Sequence, residues 1–151
     1  MKNERKIVCP YCGKQAELVK GWQIYPNAGT WGNANFWACF DCQAWVGCHR
    51  RNRKYGRDGD EPLGRLANAE LRRAKRHVHR LLDPLWQQKG MKRSDVYKAL
   101  SRRLGIAVRD CHVGEFDVEG CRAAYRALQS MHKELWKERL ELSQRSEEDI
   151  S

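Results

Sequence analysis

Four of the seven cysteines fall into two close pairs, Cys9-Pro10-Tyr11-Cys12-Gly13 and Cys39-Phe40-Asp41-Cys42. Two residues between thiols let a tight turn aim both sulfurs at one point. Two such turns complete a tetrahedron of thiolates, a donor set that zinc takes. Gly13 suits the first turn, where the residue after the knuckle cysteine often needs a positive φ and leaves its amide N–H directed at sulfur. Gln43, at the matching place in the second turn, fits less well. The 26 residues between the pairs are enough for a hairpin. The expectation is one structural zinc ion on Cys9, Cys12, Cys39 and Cys42. Catalytic zinc is not expected, and no catalytic residue is assigned, since four thiolates leave no open coordination position. The competing reading is a redox-active pair, because this spacing also occurs in oxidoreductases.

Cys48, Cys111 and Cys121 are left over. Together with histidines and a carboxylate they offer a possible second site at His49, His79, Asp83, His112 and Cys121. The plainer reading buries Cys121 on the apolar stripe of its helix and lets His79 and Asp83, four apart, share a structural hydrogen bond. His77 and His79 lie about 200° apart on a helix and cannot share an ion there.

The whole chain bounds these possibilities. It has 151 residues, 41% hydrophobic and 32% charged, the size and composition of one globular domain or of a small module attached to a helical one. No stretch approaches the roughly 18 apolar residues that span a bilayer, so no membrane partner is expected. The N-terminus runs straight into the first cysteine motif, and a signal peptide is not expected. An odd cysteine count without an export signal fits metal ligation in a reducing cytosol better than disulfides. The formal charge of +10, from 29 Lys and Arg against 19 Asp and Glu, favours a polyanionic partner such as nucleic acid.

The elements that must position the cysteines are short strands joined by turns. The strand candidates are 15–19, 22–25 and 35–39, with Pro26-Asn27-Ala28-Gly29 and Trp31-Gly32-Asn33 punctuating a long connection. After Pro62 the pattern turns helical. Ala67, Leu71, Ala74, Val78, Leu81 and Leu85 form one stripe, which Asp83-Pro84 is expected to end or kink. A second helix is expected from a Ser94 cap to Gly105, and a third from Asp117. The fold class is therefore α+β, an N-terminal zinc ribbon of short antiparallel strands followed by a three-helix region. The expected boundaries are a ribbon over 1–49, a basic loop or linker over 50–61, a helical region packed with the ribbon over 62–142, and a disordered acidic tail over 143–151.

Several of these segments, Cys9–Gly13, Ala44–His49, Pro62–Arg72 and His112-Val113-Gly114, together resemble a family of small phage and prophage proteins known as the zinc-finger-containing domain. The resemblance runs from residue 9 to about residue 128. It includes a Val-Gly-x-His segment (Val46, Gly47, His49), a Pro-Leu-Gly-x-Leu-Ala helix start, and His-x-x-x-Asp-x-Leu-Trp at His79, Asp83, Leu85 and Trp86. A terminal His-x-Gly with a cysteine matches His112, Gly114 and Cys121. The chain departs from the pattern in an aromatic insertion around Trp31 to Trp37 and in the basic run after His49. The resemblance implies a phage or prophage gene expressed in a bacterial cytoplasm, without an established activity.

Three functions are then in play. The first is nucleic-acid binding, through Arg50, Arg51, Arg53, Lys54 and Arg57 beside the ribbon and Arg72, Arg73 and Arg76 on the first long helix, with Trp31 or Trp37 as stacking platforms. Its bland counterpart is a solvated charged surface. The second is a protein adaptor or inhibitor that docks on a host enzyme or defence complex during host takeover. The third is a metal-dependent nuclease, which would need His79, Asp83, His112, Glu115 and Asp117 brought together. The balance is against an enzyme: the phosphate-cradling Gly-Lys-Ser/Thr loop, the serine elbow and the His-x-Glu deaminase signature are all missing. DNA against RNA, sequence specificity, oligomeric state and any host target are left open by the sequence.

Overall fold

A computed structural model describes residues 5–150, with side chains to residue 149. The chain forms two compact units that divide after Arg72. The first is built on a three-stranded antiparallel sheet of β1 (Glu17–Lys20), β2 (Asn35–Cys39) and β3 (Ala44–Gly47), in the order β1-β2-β3. β2 is central. Its apolar run Phe36-Trp37-Ala38-Cys39 is covered on both sides, as a central strand requires. Pairing of Cys39 with Ala44 makes residues 40–43 the tip of the β2–β3 hairpin. A Val8–Gln15 bridge makes the first cysteine pair the tip of a second, smaller hairpin.

Two of the expected strands are present, and the third differs. Residues 22–25 do not extend: Gly21–Ile24 is a single helical turn, α1, whose entry is closed by the Gln23 side chain accepting from the Lys20 amide. The strand that completes the sheet is instead Ala44–Gly47.

Residues 61–67 also depart from expectation, since they form no helix start. Trp45 and Ala67 exchange both backbone hydrogen bonds (3.1 and 3.0 Å), and the amides of Leu63 and His49 donate to Gly47 O and Glu61 O. Pro62 and Gly64 break the regularity, so the segment serves as an irregular fourth strand over the open edge of β3. Its Leu66, 1% exposed, joins Cys9, Ala16, Trp37, Cys39 and Ala44 in the ribbon core. The basic run also belongs to this unit. It folds into a hairpin closed by Asn52 and Arg57, and Gly59 O and Asp60 O accept hydrogen bonds from Asn35 Nδ2 (2.8 Å) and Trp37 Nε1 (2.6 Å).

The helices are α2 (Ala69–Gln87), α3 (Arg93–Leu104) and α4 (Val118–Ile150). Asn68 caps α2 by accepting from the Leu71 amide, and Asp117 caps α4 by accepting from the Gly120 amide. α3 begins at Arg93 without a side-chain cap and ends, as the sequence implied, at a left-handed Gly105. α2 runs past Pro84 to Gln87, its last turn anchored by the fully buried Leu85. In the second unit the core comprises Val78, Leu82, Leu85, Val96, Leu100, Cys111, Val113, Cys121, Ala124 and Leu128. His132 Nε2 donates to Leu81 O (2.7 Å), fixing α4 to α2. Residues 143–149, expected as a disordered acidic tail, are the exposed end of α4 instead. With no glycine or proline after Gly120 and many Glu, Leu, Gln and Arg, nothing in the sequence stops the helix there.

Candidate metal centre

The four paired cysteines converge at the two hairpin tips. Their sulfurs all lie within 4.8 Å of one another, and Cys12 Sγ is 3.7 Å from Cys39 Sγ. Zinc–thiolate bonds of about 2.3 Å place the corners of a regular tetrahedron about 3.8 Å apart, so both distance and chemistry fit one zinc ion. Each pair supplies one buried thiol, Cys9 and Cys39, and one nearer solvent, Cys12 and Cys42. The ion would thus sit at the rim of the ribbon core.

The backbone explains how the turns close. Cys9 N–H donates to Lys14 O (2.8 Å) and Gly13 N–H to Cys9 O (2.9 Å), with Gly13 at φ +76°. In the second turn Gln43 N–H donates to Phe40 O (3.2 Å), and Gln43 adopts φ +51°, the sole described non-glycine residue with positive φ. The two turns therefore share one left-handed geometry. The second holds it with a side chain in place, at a cost of about 1–2 kcal/mol.

Without metal the four thiols are not equivalent. The Lys14 backbone N–H lowers the Cys12 thiol, whereas burial pushes Cys42 up to about 12. For Cys39 the Cys42 N–H acts downward, but burial and the Cys12 and Cys9 thiols outweigh it. Four simultaneous thiolates in this space need a cation to balance them.

Arg72 has a role here that its place on a basic helix did not suggest. Its guanidinium lies 3.8 Å from the Trp45 ring centroid and donates to Gln43 O (2.8 Å) and Ala67 O (2.6 Å). It thereby ties the second knuckle to the edge segment and the first turn of α2. The first knuckle has its own tie, Tyr11 Oη accepting from the Asn68 amide (3.1 Å). Replacing Arg72 with alanine is expected to destabilise the ribbon by about 2 kcal/mol through two charge-assisted hydrogen bonds and the ring contact. Arg72→Lys should recover only part of this: both hydrogen bonds leave from Nη1, which an ammonium can imitate, but an ammonium cannot lie flat on the indole as the guanidinium does. Chemical denaturation of the zinc-loaded protein measures both; equal stability of Arg72→Ala and wild type would contradict the assignment.

Among the described residues no other group of three or more metal-ligating side chains converges. Within the second unit no three of His79, Asp83, His112, Glu115, Asp117 and Cys121 converge, so neither the members of the suggested second site that lie there nor the nuclease cluster come together; His49, the remaining member, lies in the first unit. His79 Nδ1 meets Asp83 Oδ1 at 3.2 Å as a helical pair, and Cys121 is buried in the helical core. His49 Nδ1 accepts from Arg57 Nη1 (2.9 Å). Because arginine only donates, the hydrogen of the neutral ring lies on Nε2. Cys48 is half-buried, and burial pushes its thiol up to about 11, which keeps it a thiol near neutral pH.

Of the remaining cations singled out in the sequence, Arg50, Arg51, Arg53, Lys54 and Arg57 lie exposed on the hairpin of the first unit, and Arg73 and Arg76 are exposed on α2. Trp37, proposed as a stacking platform, is 5% exposed and hydrogen-bonded to Asp60 O, so it is a core residue; Trp31 is 65% exposed.

A tetrathiolate site across two hairpin tips of a small antiparallel sheet defines a zinc ribbon, and one zinc ion is its structural cofactor. Residues 5–131 match the family described as a zinc-finger-containing domain, and the chain belongs to that family. Comparisons with curated proteins and with solved structures give no match. Among the described residues no helix is long and apolar enough to cross a membrane.

Proposed function

We propose that the protein is a nucleic-acid-binding accessory protein of phage or prophage origin that acts in the bacterial cytoplasm, with the zinc ribbon as a rigid platform for its basic hairpin. The observation that carries this reading is residues 50–57, which hold five cations and no carboxylate. The hairpin is fastened to the sheet through Asn35 and Trp37. Held cations lose less freedom on meeting phosphate than cations on a loose linker would. Arg73 and Arg76, exposed on α2, supply further positive charge.

Affinity for nucleic acid is expected to fall linearly on a logarithmic salt scale, and charge reversal of Arg50, Arg51 and Arg53 should flatten the slope by about 0.7–0.9 for each phosphate that is no longer neutralised. Electrophoretic shift or anisotropy titrations at several salt concentrations measure both. Binding that ignored salt, or that survived the triple reversal, would refute the proposal.

One observation favours the adaptor as a second reading. Trp136, Leu140 and Leu142 are exposed on the distal part of α4, more apolar surface than a solvated helix needs. A host protein retained in a pull-down after nuclease treatment, and lost on Trp136→Ala, would support docking there.

A further inference from the structure

The aromatic segment around Trp31 and the start of the basic run meet in one cleft of about 550 Å³ within the first unit. Lys20, Arg50, Arg51 and His49 line it, with the exposed Trp31, and among its described lining residues Asp58 is the one carboxylate. We propose that this cleft takes one unpaired nucleotide, its phosphate among Lys20, Arg50 and Arg51 and its base stacked on Trp31. The protein would then prefer single-stranded to duplex nucleic acid. The inference rests on the nucleic-acid reading above and narrows it to a substrate class.

The cleft is set in place before any ligand arrives. Lys20 Nζ donates to Asn35 Oδ1 (2.8 Å) and lies 3.5 Å from Asn33 O, which uses two of its three donors and fixes the ammonium at the wall. Asn35 in turn donates to Gly59 O, joining β2 to the basic hairpin across the floor. Arg57, by occupying His49 Nδ1, leaves that ring an Nε2–H donor.

Trp31 is held from behind. A Cβ on residue 21 would collide with the Trp31 carbonyl, so only glycine at Gly21 admits this loop position, and Gly21 N–H donates to Ala34 O (2.8 Å) to lock it. Trp31 also lines a second, mostly apolar hollow of about 440 Å³ beside Tyr25, Pro26 and Ala28. One exposed tryptophan therefore lines both a cationic hollow and an apolar one, the pairing that a phosphate and its base require.

Size and access point to a single unpaired unit. Ligand pockets for small molecules run from about 300 to 1,000 Å³, and a base enclosed in a duplex stack has no free face to offer an indole.

Fluorescence anisotropy with labelled oligo-dT, oligo-U and a duplex of matching length, at low and at physiological salt, tests the inference. Wild type should favour single strands, and the dT and U arms assign DNA or RNA. Trp31→Ala should weaken single-strand binding about tenfold or more and leave duplex binding unchanged. Trp31→Phe should retain most of the affinity, and Trp136→Ala, an equally exposed tryptophan of the second unit, should change nothing. Trp31→Ala binding single strands like wild type, while the arginine reversals abolish binding, would overturn the cleft and leave the broader reading standing. Wild type binding neither strand form at low salt would overturn both.

Discussion

Cys39→Ser is expected to leave the first unit without a folded ribbon. Cys39 ends the central strand, belongs to the ribbon core, and stands 3.7 Å from Cys12 Sγ, so its replacement removes a ligand and disturbs the packing together. Structural zinc contributes on the order of 10 kcal/mol of apparent folding free energy in small modules, comparable with the whole net stability of a typical domain, about 5–15 kcal/mol. The ribbon has little to set against that loss, since its buried cluster is six residues, two of which are zinc ligands. The amide resonances of Glu17–Lys20, Asn35–Cys39 and Ala44–Gly47 should collapse to unstructured positions, and the zinc content should fall to background. Serine keeps the size of the side chain but offers zinc a far poorer donor than thiolate. Retained zinc and dispersed strand resonances in Cys39→Ser would show that the cluster is incidental.

Leu66→Ala carries the second largest effect, and it falls on the ribbon rather than on the helices. Leu66 is 1% exposed and packs among the thiols and Trp37. Removing a fully buried leucine costs about 2–5 kcal/mol. Because metal binding and folding of such a module are coupled, about 3 kcal/mol of that loss corresponds to roughly a hundredfold weaker zinc retention. Competition against a chromophoric chelator measures it, with Leu63→Ala as the comparison, since Leu63 is 52% exposed on the same segment. Zinc retention that is equal in the two variants would contradict the placement of 61–67 over the edge of β3.

The two predictions mark the difference between what the sequence made legible and what it did not. The cysteine pairs announced themselves because thiol spacing is a local property of a turn. The strand 35–39, the stop of α3 at Gly105 and the cap at Asp117 were likewise readable from local chemistry. Ala44–Gly47 was not read as a strand, although a hairpin knuckle needs a returning strand directly after its second cysteine, and Trp45-Val46 supplied β-forming residues at that point. Ala67 misled for a different reason. Its spacing to Leu71 and Ala74 extends the stripe of α2 backwards, yet an unpaired sheet edge nearby satisfied its backbone better than a first helical turn would. Arg72 looked like one more surface cation on a basic helix; only the fold shows a carbonyl pair and an indole waiting for it. The end of α4 shows the opposite error, in which acidic composition was read as disorder where helix-forming residues continue without a break.

Identity of the site and class of ligand stand at different distances from the residues. The zinc centre follows from four sulfurs and two turns. The nucleic-acid reading follows from charge held in a fixed place, and the single-strand preference from one indole beside that charge.

The central claim, that a tetrathiolate zinc site organises the first unit, is tested most directly by elemental analysis of the purified protein joined to a chelator titration followed by near-ultraviolet circular dichroism. One zinc per chain, and loss of the tryptophan signal in step with metal removal and its return on adding zinc back, is the predicted result. Protein that carries no stoichiometric zinc and keeps an unchanged tryptophan signal in strong chelator would contradict it.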